Sequence, residues 1–214
     1  MKTLASRLSI ITVLVLCVLL TACSSPDAQD GFHGTVPDTT SETTTGNPFQ
    51  FDKNNAIKID VPSGWSVKRE DPSTALQIDQ AFEVTLTPPD GEKGLLIITF
   101  GKTANGKAYS KEQYNALIDE RVNNLLPNAV EKAPDFHDVT LKNGTGTYSI
   151  FTDASLVGKT LSSDEYLYVA EYFATYKNGC VIYASLLADD TTGAPFQSML
   201  KTLSSVKPQF SNKK

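Results

Sequence analysis

A hairpin signal at Asn178-Gly179 constrains the fold of this chain more than any other feature of its sequence. Asn-Gly favours the positive φ angles that a tight two-residue hairpin loop requires. Two long segments rich in aromatic, β-branched and small apolar residues flank it, 165–176 and 180–187. They are therefore expected to pair as neighbouring antiparallel strands. Asn143-Gly144 predicts a second hairpin, so the sheet is expected to be mainly antiparallel.

Apolar alternation predicts further strands, and two helical patterns interrupt them. Apolar and polar residues alternate over 57–61, and the unbroken apolar run 95–98 suits a central strand that is covered on both faces. Ser110 and Gln113 form a capping-box pattern ahead of apolar residues at helical spacing. Pro195 marks the first turn of a last helix. The expected fold class is α+β, with a single antiparallel β-sheet and flanking helices in an α/β/α sandwich.

The N-terminal segment has the layout of a secretory signal peptide, with Lys2 and Arg7 ahead of an apolar run over 8–20. A membrane span takes about 20 apolar residues, so this run is too short for one. Leu20-Thr21-Ala22-Cys23 follows and resembles the lipobox of bacterial lipoproteins, in which a small residue precedes a cysteine. The resemblance implies that residues 1–22 are removed and that Cys23 carries a diacylglyceryl thioether.

Lipidation would determine the location of the protein. Two acyl chains anchor a protein stably without a spanning helix. The protein is therefore expected outside the cytoplasm, attached to the membrane through Cys23. That membrane is the cell membrane, or the outer membrane in a bacterium that has two.

Charge and cysteine usage restrict the partners and the stabilising chemistry. Loss of Lys2 and Arg7 with the leader changes the formal net charge from −5 to −7. Nucleic acids and anionic headgroups attract basic surfaces, so neither is expected as a direct partner.

Lipidation of Cys23 leaves Cys180 without a disulfide partner. Cys180 is expected to be a small buried residue, and the fold is expected to depend on its apolar core.

The mature chain divides into a tether and one folded domain. Residues 24–48 are rich in Ser, Thr, Gly, Pro and Asp and contain no Lys or Arg. Such a stretch has too little apolar surface to offset its ordering entropy, so a disordered tether is expected after Cys23, over 23–48. The folded domain is expected at 49–210.

This domain resembles the PsbP-like (Mog1/PsbP) fold found in many bacterial lipoproteins. Residues 57–62 (IKIDVP) followed by Ser63-Gly64-Trp65, the helix after Ser110, the strands around Asn178-Gly179 and the closing helix that runs into 204–206 carry the resemblance. It implies a central antiparallel sheet with flanking helices, and a scaffold or binding role rather than catalysis. It supplies no shared active site, and neither a cofactor nor a metal site is expected.

One predicted strand carries tyrosines at alternate positions, with alanines between them. They are Tyr166, Tyr168, Tyr172 and Tyr176. A row of tyrosines beside small residues suits a docking surface, because tyrosine offers rigid amphipathic area. The alternative is that helices cover this face, since tyrosine also suits the interior of sheets. The candidate binding residues are the first three of these tyrosines and Trp65.

His137 is the histidine of the predicted domain, and Asp135 and Asp138 stand close to it. A hydrolase would require this histidine to meet a nucleophile or a carboxylate in a cleft. The alternative is an ordinary polar segment before a strand. The chain has no Gly-x-Ser-x-Gly motif, and no catalytic residue is predicted.

These observations favour a membrane-anchored extracytoplasmic lipoprotein whose domain is a non-catalytic binding or scaffold module of the cell envelope, with an envelope protein as its partner. One alternative is a solute-binding lipoprotein that serves a transporter. An enclosed pocket of several hundred Å³ beside the tyrosines would favour it. The other alternative is a hydrolase that uses His137.

Overall fold

The computed structural model describes residues 49–52, 55–70, 80–103 and 105–210. The predicted leader (1–22), Cys23 and the tether up to residue 48 lie outside these ranges. Within the described residues, no helix is both long enough and apolar enough to cross a membrane.

The described chain forms ten strands and two α-helices. The strands are β1 (Phe49–Asp52), β2 (Asn55–Lys58), β3 (Ser66–Glu70), β4 (Gln80–Thr87), β5 (Gly94–Lys102), β6 (His137–Leu141), β7 (Gly144–Thr152), β8 (Tyr168–Tyr176), β9 (Cys180–Ala188) and β10 (Lys207–Phe210). The helices are α1 (Lys111–Leu125), which continues into a 3-10 turn (Leu126–Asn128), and α2 (Ala194–Ser204). This composition confirms the α+β class predicted from the sequence.

Seven strands form one antiparallel sheet in the order β3-β4-β5-β9-β8-β7-β6. The prediction of a single sheet is wrong, because β1, β2 and β10 form a second, three-stranded antiparallel sheet. The turn after β2 explains the difference. The Trp65 amide donates to the Pro62 carbonyl at 3.2 Å and Gly64 takes a φ of +83°. This turn separates β2 from the large sheet, and β2 pairs instead with β10 at the other end of the chain.

Both Asn-Gly hairpins predicted from the sequence are confirmed. β8 and β9 pair in register across Gly179, which has a φ of +80°. β6 and β7 pair across Asn143, which has a φ of +65°. The strand predicted from residue 165 begins later, at Tyr168, because a turn precedes it. In that turn the Glu165 carboxylate accepts a hydrogen bond from the Ser162 amide at 3.0 Å.

Each face of the large sheet is covered by one helix. Residues of α2, with the small sheet, pack in one apolar layer with Leu96 and Ile98 of β5. Residues of α1 pack in a second layer with Leu95 and Ile97 of the same strand. The prediction that the run 95–98 is covered on both faces is therefore confirmed. The core position predicted for Cys180 is confirmed as well, since the residue has no exposed surface.

The capping box at the start of α1 is also confirmed. The Ser110 hydroxyl accepts a hydrogen bond from the Gln113 amide at 3.3 Å, and the Gln113 side chain accepts one from the Ser110 amide at 3.0 Å. One residue earlier, the Tyr109 amide donates to the Thr175 hydroxyl at 3.2 Å. These contacts begin the helix at a defined point above β8.

Candidate functional site

The tyrosines of β8 do not form a surface. Tyr172 and Tyr176 are 0% and 2% exposed and lie in the apolar layer beneath α2. The Tyr176 hydroxyl donates to the Val206 carbonyl at 3.5 Å, whereas the Tyr172 hydroxyl has no hydrogen-bond partner among the described residues. The docking surface predicted here is therefore wrong for Tyr172, because α2 and the small sheet cover this face.

The other predicted binding residues do not share a face. Tyr166 lies before β8 and packs with the layer beneath α1, and the Lys93 ammonium lies 5.5 Å from the centre of its ring. Trp65 packs against the layer beneath α2, on the opposite side of the sheet. Tyr168 is half-buried at the start of β8. Solute capture was expected to use a pocket beside these tyrosines. At Tyr172 and Tyr176 that space is filled by packed side chains.

His137 begins β6, and its ring stacks on Tyr148 with ring centres 4.9 Å apart. Its Nε2 atom lies 3.8 Å from a carboxylate oxygen of Asp135. The carboxylate that the hydrolase alternative requires is therefore present. It meets the ring at an exposed position, however, because the side chains of His137 and Asp135 are 45% and 90% exposed.

A groove of about 520 Å³ opens on the α1 side of the sheet. It lies between α1 and the β6–β7 end of the sheet, and β7 and β8 form its floor. The lining residues are Tyr109, Tyr114, Asn115, Ile118, Asp119, Phe136, Asp138, Thr145, Gly146, Thr147 and Thr175. This volume is within the range of small-ligand sites, roughly 300–1,000 Å³.

Contacts between α1 and β8 produce the groove. The Tyr114 ring meets Phe173 edge-on at 4.9 Å, and its hydroxyl donates to the Phe173 carbonyl at 3.4 Å. The helix is thereby held over β8. Beside it, Thr145 pairs with Thr175 across the two strands, and Thr147 pairs with Phe173. The short threonine side chains leave the space that a larger residue would fill.

The groove combines aromatic rings with negative charge. Phe136 at its rim is 43% exposed, which is unusual for a phenylalanine in this domain. Asp119 of α1 and Asp138 of β6 also line it, and no basic side chain is among its described lining residues. Burial, and then the charge of Asp138, raise the pKa of the Tyr114 hydroxyl. The Asp138 carboxylate therefore acts electrostatically within the groove.

The carboxyl group of Glu171 is buried beneath α1. Glu171 of β8 is 6% exposed, and the Ser185 hydroxyl donates to its carboxylate oxygens at 3.1 and 3.3 Å. Ser149 lies opposite it on β7, and its buried hydroxyl has no hydrogen-bond partner in the described structure. Burial raises the pKa of Glu171 to about 7, although the charge of Arg121 and the Ser185 hydrogen bond act in the other direction.

Metal-ligand geometry is not found in the described ranges, where no three His, Cys, Asp or Glu side chains are placed to hold an ion together.

No protein-family model matches the chain, and no curated protein matches it. Its function is therefore inferred from its own residues.

Sequence reasoning missed the groove because four separate segments build it. They are 109–119, 136–138, 145–147 and Thr175. One local signal was present. Thr145 and Thr147 are polar residues at alternate positions of a strand, which indicates a sheet face that is not fully covered. The helix that forms the opposite wall cannot be assigned to that face from the sequence.

Proposed function

We propose that this chain is a lipid-anchored protein of the bacterial cell envelope, and that its folded domain is a non-catalytic binding module. The groove beside α1 is the observation that carries the binding role. It has the volume of a ligand site and exposes Phe136 at its rim. The lipobox-like Leu20-Thr21-Ala22-Cys23 supports the anchor.

Under this proposal the domain belongs to the PsbP-like (Mog1/PsbP) fold. An antiparallel seven-stranded sheet with α1 on one face and α2 on the other supports this assignment. So does the turn at Gly64-Trp65 after the 57–62 segment.

The anchor is tested by substitution of the lipidated cysteine. Cys23→Ser should release the protein from membranes and abolish incorporation of a labelled fatty acid. Cys180→Ser is the matched control, because Cys180 is buried in the folded domain, and it should leave both properties unchanged. A Cys23→Ser protein that still incorporated the label and stayed with the membrane would contradict the lipoprotein assignment.

The binding role is tested by site-specific photo-crosslinking in intact cells. Benzoylphenylalanine at position 136 should form a discrete adduct with an envelope protein, since this residue lies at the groove rim. Val157 is the matched control. It is 55% exposed but follows the opposite end of β7, away from the groove. Identical adducts from both positions, or none from position 136, would count against a protein-binding site in the groove.

A small solute is the second candidate occupant, and the volume of the groove favours it. In that case position 136 would give no protein adduct, and native mass spectrometry of the purified lipoprotein would show a small bound molecule. Substitution of Thr147 by Leu, which would fill the floor, should then remove that molecule.

A further inference from the structure

Among the described residues, no basic side chain balances the charge of the groove. Asp119 and Asp138 approach from opposite walls, one on α1 and the other on β6. Within the described part of the chain, neither carboxylate forms an ion pair with a basic side chain. Two carboxylates beside aromatic rings favour a cation and disfavour an anion.

Elsewhere in the domain, cations of the same chain lie over some partly buried aromatic rings. The Arg121 guanidinium lies 4.5 Å from the centre of the Tyr183 ring, and the Lys93 ammonium lies 5.5 Å from the centre of the Tyr166 ring. Phe136 has no such cation among the described residues. A cation from another molecule would complete the same arrangement in the groove.

The tether of this chain is a poor occupant. Residues 24–48 include four acidic residues and no Lys or Arg, so their entry would add negative charge to a negative groove.

The edge of the sheet points to a different source. β6 is the terminal strand of the seven-stranded sheet, and Asp138 belongs to it. An extended segment of a partner can pair with such an edge while an alternate side chain enters the adjoining groove.

We propose that the groove receives a lysine or arginine side chain, presented by an extended segment of a partner protein that pairs with β6. The inference deepens the proposed binding role and rests on it. The cation would lie between the carboxylates of Asp119 and Asp138, with its methylene stem against Phe136.

The test uses the purified, detergent-solubilised lipoprotein and a capped pentapeptide, Thr-Val-Arg-Val-Thr, that carries a neutral fluorophore. Fluorescence anisotropy should show saturable binding. Replacement of the central Arg by norleucine or by Glu should weaken the binding at least tenfold, which corresponds to about 1.4 kcal/mol. Binding should also weaken as salt rises, because part of the attraction is electrostatic.

Variants of the protein locate the cation. Asp119→Asn and Asp138→Asn should each weaken binding of the Arg peptide several-fold, and urea unfolding would verify that both remain folded. Asp90→Asn is the matched control, since Asp90 lies exposed in the turn between β4 and β5, and it should have no effect.

Three outcomes would overturn the inference. Equal affinity for the Arg and norleucine peptides would show an apolar groove without cation selectivity. Full displacement of the Arg peptide by free agmatine at a comparable concentration would show a small-cation site rather than a docking site for a protein segment. If position 136 crosslinks to an envelope protein but the Arg peptide does not bind, the proposed binding role stands and this inference fails.

Discussion

The buried carboxyl of Glu171 should make the stability of this protein depend on pH. It lies beneath α1, 6% exposed, with Ser185 as its hydrogen-bond donor. Glu171→Gln keeps the shape of the side chain and an acceptor for Ser185. The substitution removes the ionisable group with little change in packing.

The sign of the effect follows from the two pKa values. Burial raises the pKa of Glu171 to about 7 in the folded protein, against 4.5 for an unperturbed glutamate. Between these values the folded state keeps a proton that the unfolded state has released. The contribution of Glu171 to stability is therefore fully retained below about pH 4.5 and is lost as the pH rises through 7.

The magnitude is about 1.4 kcal/mol for each unit of pKa difference, or roughly 3 kcal/mol over the whole range. Linkage places most of this change, about 2–3 kcal/mol, between pH 5 and pH 8. Urea unfolding of both proteins at these two pH values measures it. The free energy of unfolding of Glu171→Gln minus that of the wild type should be larger at pH 8 than at pH 5 by about this amount.

A relative stability of Glu171→Gln that did not change between pH 5 and pH 8 would refute the reasoning, because it would place the pKa of Glu171 near its unfolded value. Arg121→Gln provides a second measurement. The positive charge of Arg121 lowers the pKa of Glu171, so its removal should raise that pKa and increase the loss of stability at pH 8.

Other properties of the core can be checked by direct measurement. Tyr172→Phe removes a buried hydroxyl that has no hydrogen-bond partner among the described residues, so urea unfolding should show a stability unchanged or raised by up to about 1 kcal/mol. A clear loss would reveal a partner for that hydroxyl. Gly179 and Gly158 both have positive φ, but a Cβ at Gly179 would lie 2.5 Å from the backbone of Gly106, whereas one at Gly158 meets nothing within 4 Å. Gly158→Ala should therefore cost only about 1–2 kcal/mol and Gly179→Ala clearly more; equal costs would contradict the close approach. The Cys180 thiol has no exposed surface and burial raises its pKa, so its reaction with DTNB should require opening of the fold and accelerate in urea. A rapid reaction of the native protein would show that the thiol is accessible.

Local chemistry made several features of the fold predictable. The capping box at Ser110 and Gln113 involves atoms three residues apart, and the hairpins at Asn143 and Asn178 depend on backbone angles within a single turn. Such signals require no knowledge of distant parts of the chain. Apolar alternation likewise showed which residues of a strand share a face.

Alternation does not show what covers a face, and this is where the predictions failed. Tyr172 was placed correctly on one side of its strand, but α2, which follows in the chain, buries that side. Tyr166 left the shared face because the strand begins only at Tyr168. The second sheet was missed for a related reason, since β2 finds its partner in β10, near the other end of the chain.

The sequence by itself determined the local turns, the helix start, the antiparallel pairing and the lipobox-like segment at Cys23, because each depends on a few neighbouring residues. Tertiary structure alone decided that Tyr172 and Tyr176 are core and that the groove is formed by Tyr114, Phe136, Asp138 and Thr147. Those residues come together only when α1 is held above β8. Their proximity therefore depends on packing between segments that are distant in the sequence.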